Sequence, residues 1–437
     1  VAGVAGAPSK QYPNVDLKQA IAIAVAGSPV LASARADAAL AAVQVRLAQA
    51  NALPNLSVSG TTARFRGSTR SSGGATGGGT ATPSPAGGGS IAVTSNSLSV
   101  GVRQLLFDGF HTEAQIHAAD AAAVAAADTY RSSLDQLGLN VAKAYYTALS
   151  AERQTGAALA SLKNAQTQRD LVAAQVAVGT AARSNISNAE LQVAQARLLV
   201  IQDQASALNA LAAFSTTLGV SANEVVQPVD DVPTNDPGTM TSLPVPSYQE
   251  ALQRALALRP DYAAATEQVV AAERSVRAAR AARWPSLVGT ASSGTSSTDL
   301  VGGGFQPAWS IGAQLTLPIY DGGLIAATVS QAQETELKAQ ATARQAQLVL
   351  QSDVKQALVS LASAKAALVA ANQERATADE QLRATEAQYK AGVTTLPLLL
   401  QAQTGYTSAL VDQVNAAYGV RQAEQQYLFA IGDNIKM

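Results

Sequence analysis

An internal duplication constrains the fold of this chain more than any other feature of its sequence. An Asp-Gly pair at 108–109 closes an alternating apolar segment and leads into a long Ala-rich run that stops at Gly179. A second pair at 321–322 leads into a run that stops at Gly392. Both spacings, 179 − 108 and 392 − 321, equal 71 residues. We therefore expect one body built from two similar halves, since a repeat of this length is one structural unit.

The duplication also extends upstream, with a different offset. PNL at Pro54 matches PSL at Pro285, an offset of 231 residues, whereas the downstream offset is 213. The difference of 231 − 213 = 18 residues falls where residues 67–90 form a much longer Gly/Ser/Pro-rich stretch than residues 294–304. A length change confined to such a stretch is typical of a surface loop.

Composition excludes several classes of function. The 437 residues carry 30 basic and 31 acidic side chains with no local Lys/Arg cluster, so no nucleic-acid partner is expected. The absence of cysteine excludes disulfides, thiolate metal sites and cysteine nucleophiles. Alanine dominates the apolar residues; it favours helix but buries little area, which suits long, closely packed helices.

Two long proline-free runs, 112–178 and 324–390, predict helices of about 100 Å each. The apolar stripes on them are formed by Leu134, Leu137, Val141, Tyr145 and Leu149 in the first and by Leu350, Val354, Leu358, Leu361 and Leu368 in the second. A short glycine-containing turn and a returning helix follow each run. Each half therefore ends in a long antiparallel helical hairpin.

Polar residues and prolines predict how several helices begin. Ser28 is expected to cap a helix that has Pro29 in its first position, and Pro260 restarts the equivalent helix of the second half. Ser247 and Glu250 form an S-x-x-E capping box. Thr395 is expected to cap the last helix.

After Pro54 and Pro285 the apolar period changes from about 3.6 residues to 2. Leu98, Val100 and Val102, for example, alternate with small or polar residues. A strand pair with one apolar face fits either a half-buried sheet or a transmembrane barrel. Four strands are too few for a barrel, which needs about eight, so a barrel would have to be shared by several chains.

The predicted organisation is two repeats joined by a Pro-rich linker and followed by a short tail. The first repeat is 1–219, with helices at 16–52, strands at about 54–66 and 91–104, and helices at about 112–178 and 184–218; the linker is 220–246; the second repeat is 247–432, with helices at 247–283, strands at about 285–293 and 306–317, and helices at about 324–390 and 396–430; the tail is 433–437.

No membrane-spanning helix is expected. The two uncharged windows, 204–223 and 391–411, contain too many polar residues, glycine or proline for the roughly 20 predominantly apolar residues that a span requires. The amino terminus lacks a basic region followed by an apolar core, so we expect that any signal peptide has been removed.

Four motifs make the chain resemble the TolC-like family of outer-membrane efflux proteins over nearly its whole length. They are QLLFDGF at Gln104, LPIYDGG at Leu317, the long RPDYAAATEQVV segment at Arg259 and QYKAGVTTLPLLLQAQ at Gln388. The resemblance implies a mainly α fold with a membrane β-barrel portion: a homotrimer that shares a 12-stranded barrel and continues as a periplasmic α-helical barrel. It also implies outer-membrane lipid, a periplasmic adaptor and an inner-membrane pump as partners.

The resemblance implies a periplasmic gate near the helical turns. Tyr389, three residues before Gly392, matches a tyrosine that closes the tunnel in some members, but the charged partners found there are replaced by Thr394 and Asn185. In the family, the positions six and nine residues after the second-turn glycine are often acidic. In this chain they are Leu398 and Gln401. Closure is therefore expected to rest on hydrogen bonds or on apolar contact through Leu396, Leu398 or Leu399. From the residues alone, short polar side chains at a turn are more often caps or solvent contacts.

The turns themselves, at Gly179, Thr180, Gly392 and Val393, are where the resemblance places adaptor docking. A glycine at a helix C-cap explains part of the same pattern. Both interpretations can hold together.

The remaining candidates indicate neither catalysis nor a cofactor. His111 and His117 are six residues apart, a poor spacing for one metal, and Asp108 and Asp321 fit turn chemistry. We expect no enzyme activity, metal or cofactor. A sparse aromatic girdle is predicted at the membrane interface, formed by Phe65, Phe305 and Trp309.

The leading hypothesis is a passive exit duct of a tripartite efflux system that conducts small molecules such as drugs and toxic compounds. One alternative is the outer-membrane duct of type I protein secretion. An alternative of another class is a soluble coiled-coil scaffold.

Overall fold

A computed structural model of the chain describes residues 14–68, 90–180, 182–221, 224, 226–229, 245–298 and 306–433. Most of the predicted linker, both predicted loop tips and nearly all of the predicted tail lie outside these residues, as does Phe305. The side chain of Phe65 is likewise not among those described.

The elements occur in the order helix, helix, strand, strand, helix, helix, and this order then repeats. The structure confirms a mainly helical chain with a small sheet. The helices are α1 Leu17–Gly27, α2 Pro29–Ala50, α3 His111–Ala177, α4 Arg183–Thr217, α5 Tyr248–Leu258, α6 Pro260–Ala281, α7 Leu324–Lys390 and α8 Leu396–Ile431; the strands are β1 Asn55–Ser68, β2 Ser90–Phe107, β3 Ser286–Thr298 and β4 Gln306–Thr316.

Helix starts agree with the sequence in some places and differ in others. Pro29 and Pro260 begin α2 and α6 as predicted. The Ser247 hydroxyl accepts a hydrogen bond from the Glu250 amide at 3.3 Å, but the Glu250 carboxylate accepts one from Arg254 instead of completing the capping box. Thr395 occupies the N-cap position of α8 without a side-chain capping bond, so its predicted capping role is wrong.

The complete capping box is at α1, where the sequence analysis did not place one. Asp16 Oδ1 accepts a hydrogen bond from the Gln19 amide at 2.7 Å, and Gln19 Oε1 accepts one from the Asp16 amide at 3.1 Å. Two otherwise unpaired amides are satisfied reciprocally.

The described chain divides into two compact units. The first comprises the described residues within Val1–Ala39, Val124–Thr266 and Ala341–Met437, and the second comprises those within Leu40–Ala123 and Glu267–Gln340. The long helices α3 and α7 contribute residues to both units.

The first unit has two main apolar clusters, one around α3 and one around α7. In the first, the α3 stripe residues Val141, Tyr145 and Leu149 are buried against α1 and against Phe214 at the end of α4. In the second, the α7 stripe packs with α5 and with Tyr427 of α8. The predicted stripe of α7 is buried throughout, whereas Leu134 and Leu137 of α3 are only half-buried.

Repeat-equivalent glycines close the two clusters. Gly219 and Gly432 have φ values of +74° and +71°, and 432 − 219 gives the offset of 213 found in the sequence. A Cβ on Gly219 would lie 2.4 Å from the carbonyl oxygen of Gly27, and one on Gly432 would lie 2.9 Å from the amide of Arg259. Each glycine therefore allows a helix C-terminus to contact the backbone at a helix break.

Arg259 lies at the second of these breaks and is buried. Its Nε donates to Asp261 at 3.0 Å, its Nη1 donates to Asp353 of α7 at 2.9 Å, and its guanidinium lies 5.6 Å from the ring centroid of Phe429. The side chain therefore links α5, α6, α7 and α8.

The second unit contains one antiparallel sheet in the order β1-β2-β3-β4. The register places Val58, Val100, Ser293 and Trp309 in one row and Leu56, Val102, Ala291 and Ile311 in the next, on the same face. This predicted apolar face is largely exposed: Trp309 and Ile311 each retain 78% of their accessible surface.

The opposite face of the sheet is polar. Hydroxyl pairs bridge neighbouring strands, Ser59 with Ser99 and Ser292 with Ser310, each at 2.9 Å between oxygens. Such cross-strand hydroxyl pairs stabilise an antiparallel register modestly. The sheet thus separates an apolar side from a hydroxyl-lined side.

By length and composition alone, α7 contains an 18-residue window apolar enough to cross a membrane, with a mean hydropathy of 1.3. The helices α1 and α2 together pass the same test but are bent by 57°. Core helices of soluble proteins meet the same criterion, so we assign no membrane-spanning helix from these windows.

Candidate gate and docking turns at the hairpin ends

The α3–α4 and α7–α8 turns share one backbone design. Gly179 and Gly392 have φ values of +79° and +73°, and each amide donates back into its helix, to Val176 at 3.1 Å and to Tyr389 at 3.0 Å. A Cβ on either glycine would meet nothing within 4 Å. Glycine is therefore favoured here by backbone conformation and not by crowding.

The residue after each turn glycine closes the turn and lies at the surface. The Thr180 amide and hydroxyl both donate to the carbonyl of Gln175, at 2.9 and 3.0 Å. The Val393 amide donates to the carbonyl of Gln388 at 2.9 Å, and its side chain is exposed, as is that of Val178. Both turns therefore present an apolar side chain to the solvent.

Tyr389 is joined to a residue that the sequence analysis missed. Its hydroxyl donates to Oε1 of Gln175 at 2.9 Å, which connects α7 to α3. Partial burial raises the pKa of the Tyr389 phenol. The signal for this pair was available, because Gln175 lies four residues before Gly179 and Tyr389 lies three before Gly392, so both are at the same level of their hairpins.

The other predicted polar gate residues are not bonded to Tyr389. Asn185 and Thr394 are half-buried and Gln401 is exposed. Within the described part of the chain, the side-chain partner of Tyr389 is Gln175 alone. The structure thus brings Tyr389 together with a neutral amide on the facing hairpin.

The leucines after the second turn separate into two groups. Leu396 retains 2% of its accessible surface and packs with Val172, Ala189 and Leu400, and Leu399 is equally buried. Leu398 is 47% exposed. Leu396 and Leu399 are therefore occupied within their own chain, whereas Leu398 remains available to contact another molecule.

A cavity of about 670 Å³ lies among α3, α4, α7 and α8, between the turns and the middles of these helices. Its lining combines amide side chains such as Gln168, Gln192 and Gln403 with hydroxyls and a few leucines. The Nε2 of Gln168 is buried there without a partner among the described residues. The cavity wall thus presents polar and apolar groups to a similar extent.

The predicted turn residues have the predicted chemistry. Asp108 Oδ2 accepts from the Thr112 amide at 2.8 Å, and Asp321 accepts from the amides of Gly323 and Ile325 at 2.9 and 2.6 Å. These backbone hydrogen bonds lower the pKa of the Asp321 carboxyl. Both aspartates start a long helix.

Each histidine has its own partner. His111 Nδ1 lies 2.7 Å from the carbonyl oxygen of Ala278, and His117 Nε2 lies 3.8 Å from Glu113. In the described residues, no group of three or more His, Cys, Asp or Glu side chains is arranged to hold a metal ion.

Comparison with known proteins bears on these features. The outer membrane efflux protein family model matches residues 20–220 and 251–433. The solvent efflux pump outer membrane protein SrpC of Pseudomonas putida is 36% identical over 153 residues, which cover 34% of this chain and 32% of SrpC. The match thus spans about a third of that relative's length.

Two longer similarities cover almost the whole chain. Protein CyaE of Bordetella pertussis is 25% identical over 431 residues, covering 98% of this chain and 86% of CyaE. The crystal structure of the Campylobacter jejuni CmeC outer membrane channel superposes with a TM-score of 0.79 at 19% identity, covering 95% of this chain and 85% of that one. The matched family is one of outer-membrane proteins, and the protein is accordingly placed in the bacterial outer membrane. The family model alone covers far more than half of the sequence, and the chain therefore belongs to the outer membrane efflux protein family.

Proposed function

We propose that this protein is the passive exit duct of a tripartite efflux system, in which three copies share a 12-stranded barrel in the outer membrane and a helical tunnel in the periplasm. The observation that carries the proposal is the sheet: its apolar face is exposed, and β1 and β4 are edge strands. Neither condition suits a protein whose single chain is surrounded by water.

The dimensions of the strands support insertion in lipid. The four strands contain between 11 and 18 residues, and a tilted transmembrane strand needs about 9–11. In hydrocarbon, unpaired edge groups cost several kcal/mol each, so a four-stranded sheet must pair with other copies. Three copies supply 12 strands, which lies within the range of known barrels, about 8 to 26 strands.

The polar face of the sheet then lines the aqueous lumen. Its hydroxyls, including those of Ser59, Ser99, Ser292 and Ser310, carry no charge, and Arg103 near the end of β2 adds one cation to the same face. Such a wall suits passage of varied small molecules. SrpC is a solvent efflux pump protein by name, and we propose small toxic organic compounds as the cargo class here as well.

The turns are proposed as the contact for a periplasmic adaptor that connects the duct to an inner-membrane pump. Gly179, Thr180, Gly392 and Val393 provide two exposed tips of similar form, with apolar side chains beside each glycine. The gate is proposed at the same level, with Tyr389 and Leu398 as its principal side chains and with Asn185, Thr394, Leu396 and Gln401 around them. Energy for transport comes from the pump.

A disulfide test addresses the shared barrel directly. In one chain β1 and β4 are separated by two strands, about 14 Å at the usual strand spacing, and a disulfide needs Cα atoms within about 7 Å. The native chain has no cysteine, so an introduced pair has no competitor. Ser59→Cys is combined in turn with Ala308→Cys, Ser310→Cys and Gly312→Cys, which all lie on the polar face.

The expected result is a ladder up to a covalent trimer on a non-reducing gel for at least one pair, with no ladder for Ser59→Cys alone. If none of the three pairs gives a band larger than the monomer, the shared barrel is contradicted. Single-channel conductance of the same protein in planar bilayers tests the pore. A soluble coiled-coil scaffold predicts neither trimer ladder nor conductance.

Deletion of the coding sequence separates efflux from protein secretion. We expect the deletion strain to become more sensitive to organic solvents and drugs, with normal export of polypeptides. Loss of an exported polypeptide at unchanged drug sensitivity would favour the secretion duct instead.

A further inference from the structure

A groove of about 410 Å³ lies in the second unit, between the start of α3 and the end of α6. Two aromatic side chains, Phe110 and Trp284, and three arginines, Arg274, Arg277 and Arg280, line it. Phe110 and Trp284 are exposed over 66% and 64% of their surface. The groove therefore combines cationic and aromatic groups at one place on the surface.

The charge of the groove is positive. The three arginines are spaced by three residues on α6, so they share one helix face. None of them forms an ion pair with any residue in the described ranges. The lining includes one carboxylate, that of Glu113, which lies 3.8 Å from His117. The side chains that line the groove thus carry a net charge of about +2, from three arginines and one glutamate.

The groove continues the apolar face of the sheet. The register places Phe107 opposite Leu287 and Leu287 opposite Leu315, on the face that also carries Ile311. The ring of Phe107 packs edge-on against that of Phe110, with 5.8 Å between centroids and an interplanar angle of 82°. Phe107 and Phe110 therefore connect the end of the sheet's apolar face to the groove that contains the arginines.

Phe110 has an unusual backbone conformation. Its φ is +67°, a region that glycine adopts freely but that costs a bulky residue free energy. Because two thirds of the ring is exposed, burial within the chain compensates little of that cost. The ring is held at the boundary between the apolar face and the cationic groove, where an external partner would contact it.

We infer that this groove binds the headgroup of an anionic phospholipid in the periplasmic leaflet of the outer membrane, with the acyl chains lying along the apolar face of the sheet. Arginine guanidiniums bind phosphate oxygens in a bidentate geometry. Phe110 and Trp284 lie at the level where aromatic side chains of membrane proteins meet the interface. The inference rests on the proposed insertion of the sheet in the membrane.

Native mass spectrometry of the full-length protein in neutral detergent, titrated with phosphatidylglycerol, tests the site. Arg277→Gln and Arg280→Gln should each weaken phosphatidylglycerol binding about fivefold, and the double variant about 25-fold. The reason is that each basic residue near an anionic headgroup strengthens binding by about a factor of five. The matched control is Arg283→Gln, because Arg283 is exposed at the same helix end but does not line the groove. Phosphatidylcholine should bind more weakly and be insensitive to all of these changes.

Phe110→Gly separates a lipid contact from a structural role. Glycine relieves the backbone strain, so the unfolding temperature should stay the same or rise while phosphatidylglycerol binding falls. Equal losses in Arg283→Gln and Arg277→Gln would overturn the inference, because they would indicate a general field effect. Glycerol phosphate that binds as tightly as phosphatidylglycerol would also overturn it, in favour of a site for free phosphate.

Failure of the duct and failure of the lipid site give different results. Variants that lose phosphatidylglycerol but keep the conductance of the unsubstituted protein support the lipid site and leave the duct intact. If the protein gives neither conductance nor the β1–β4 cross-link, the duct proposal is contradicted, whether or not lipid binds.

Discussion

The hydroxyl of Tyr389 donates a hydrogen bond to the side-chain oxygen of Gln175, with 2.9 Å between the two oxygens, and joins the end of α7 to the end of α3. The two residues are 214 positions apart in sequence. The bond connects the two helical hairpins just before their turns and involves no charged group. In the proposed gate it takes the place of an ionic lock.

Removal of this hydrogen bond should favour the open tunnel. A neutral hydrogen bond contributes about 1 kcal/mol net, so Tyr389→Phe should raise the ratio of open to closed channels about fivefold in planar-bilayer recordings. Tyr406→Phe is the control, because the Tyr406 hydroxyl makes no hydrogen bond with the residues described. An equal response of the two variants would show that Tyr389 does not restrain the gate.

Gating should not depend on pH across the physiological range. Burial raises the pKa of Tyr389 above its ordinary value of about 10, and Gln175 does not titrate. A raised pKa means that the stabilisation is fully present below the ordinary value and is lost only as the pH rises through the higher one. Recordings between about pH 5 and pH 9 should therefore give one open probability. A titration near neutral pH would indicate that another group controls closure.

The leucines at the start of α8 should respond in opposite ways to an introduced charge. Leu398→Asp places like charges around the proposed threefold axis and should increase conductance, with little loss of stability, because Leu398 is half exposed. Leu396→Asp should destabilise the hairpin end by about 3 kcal/mol or more, since it buries an unpaired carboxylate. Conductance and thermal unfolding of both variants check this. Unchanged conductance in Leu398→Asp would place that residue away from the constriction.

The buried guanidinium of Arg259 should matter far more to stability than exposed arginines do. Arg259→Ala leaves two carboxylates without their shared cation and should cost about 3 kcal/mol. Arg254→Ala removes a surface pair with Glu250 and should cost less than about 1 kcal/mol. Denaturant unfolding measures both. Arg259→Lys should not restore stability, because lysine cannot bind the two carboxylates with a planar fork.

Replacement by alanine should change stability in opposite directions at Gly405, within α8, and at Gly432, the C-cap residue that follows it. Gly432→Ala should destabilise the protein by about 2 kcal/mol, because its φ is positive and the added Cβ would lie 2.9 Å from backbone atoms. Gly405→Ala lies in the helix with nothing within 4 Å and should stabilise it by up to about 1 kcal/mol. A stabilising Gly432→Ala would show that the helix end can move away from Arg259.

The sequence by itself determined the duplicated order of elements, the long helices and the apolar side of the sheet. These features are local or periodic: proline, glycine and the spacing of apolar residues act within a few positions of the chain. Only the tertiary structure decided the contacts between distant segments. It bonded Tyr389 to Gln175, buried Leu396 while exposing Leu398, and brought the arginines of α6 beside Phe110. The partners in such contacts come from different helices, and their identity depends on helix rotation and packing, which no local pattern records.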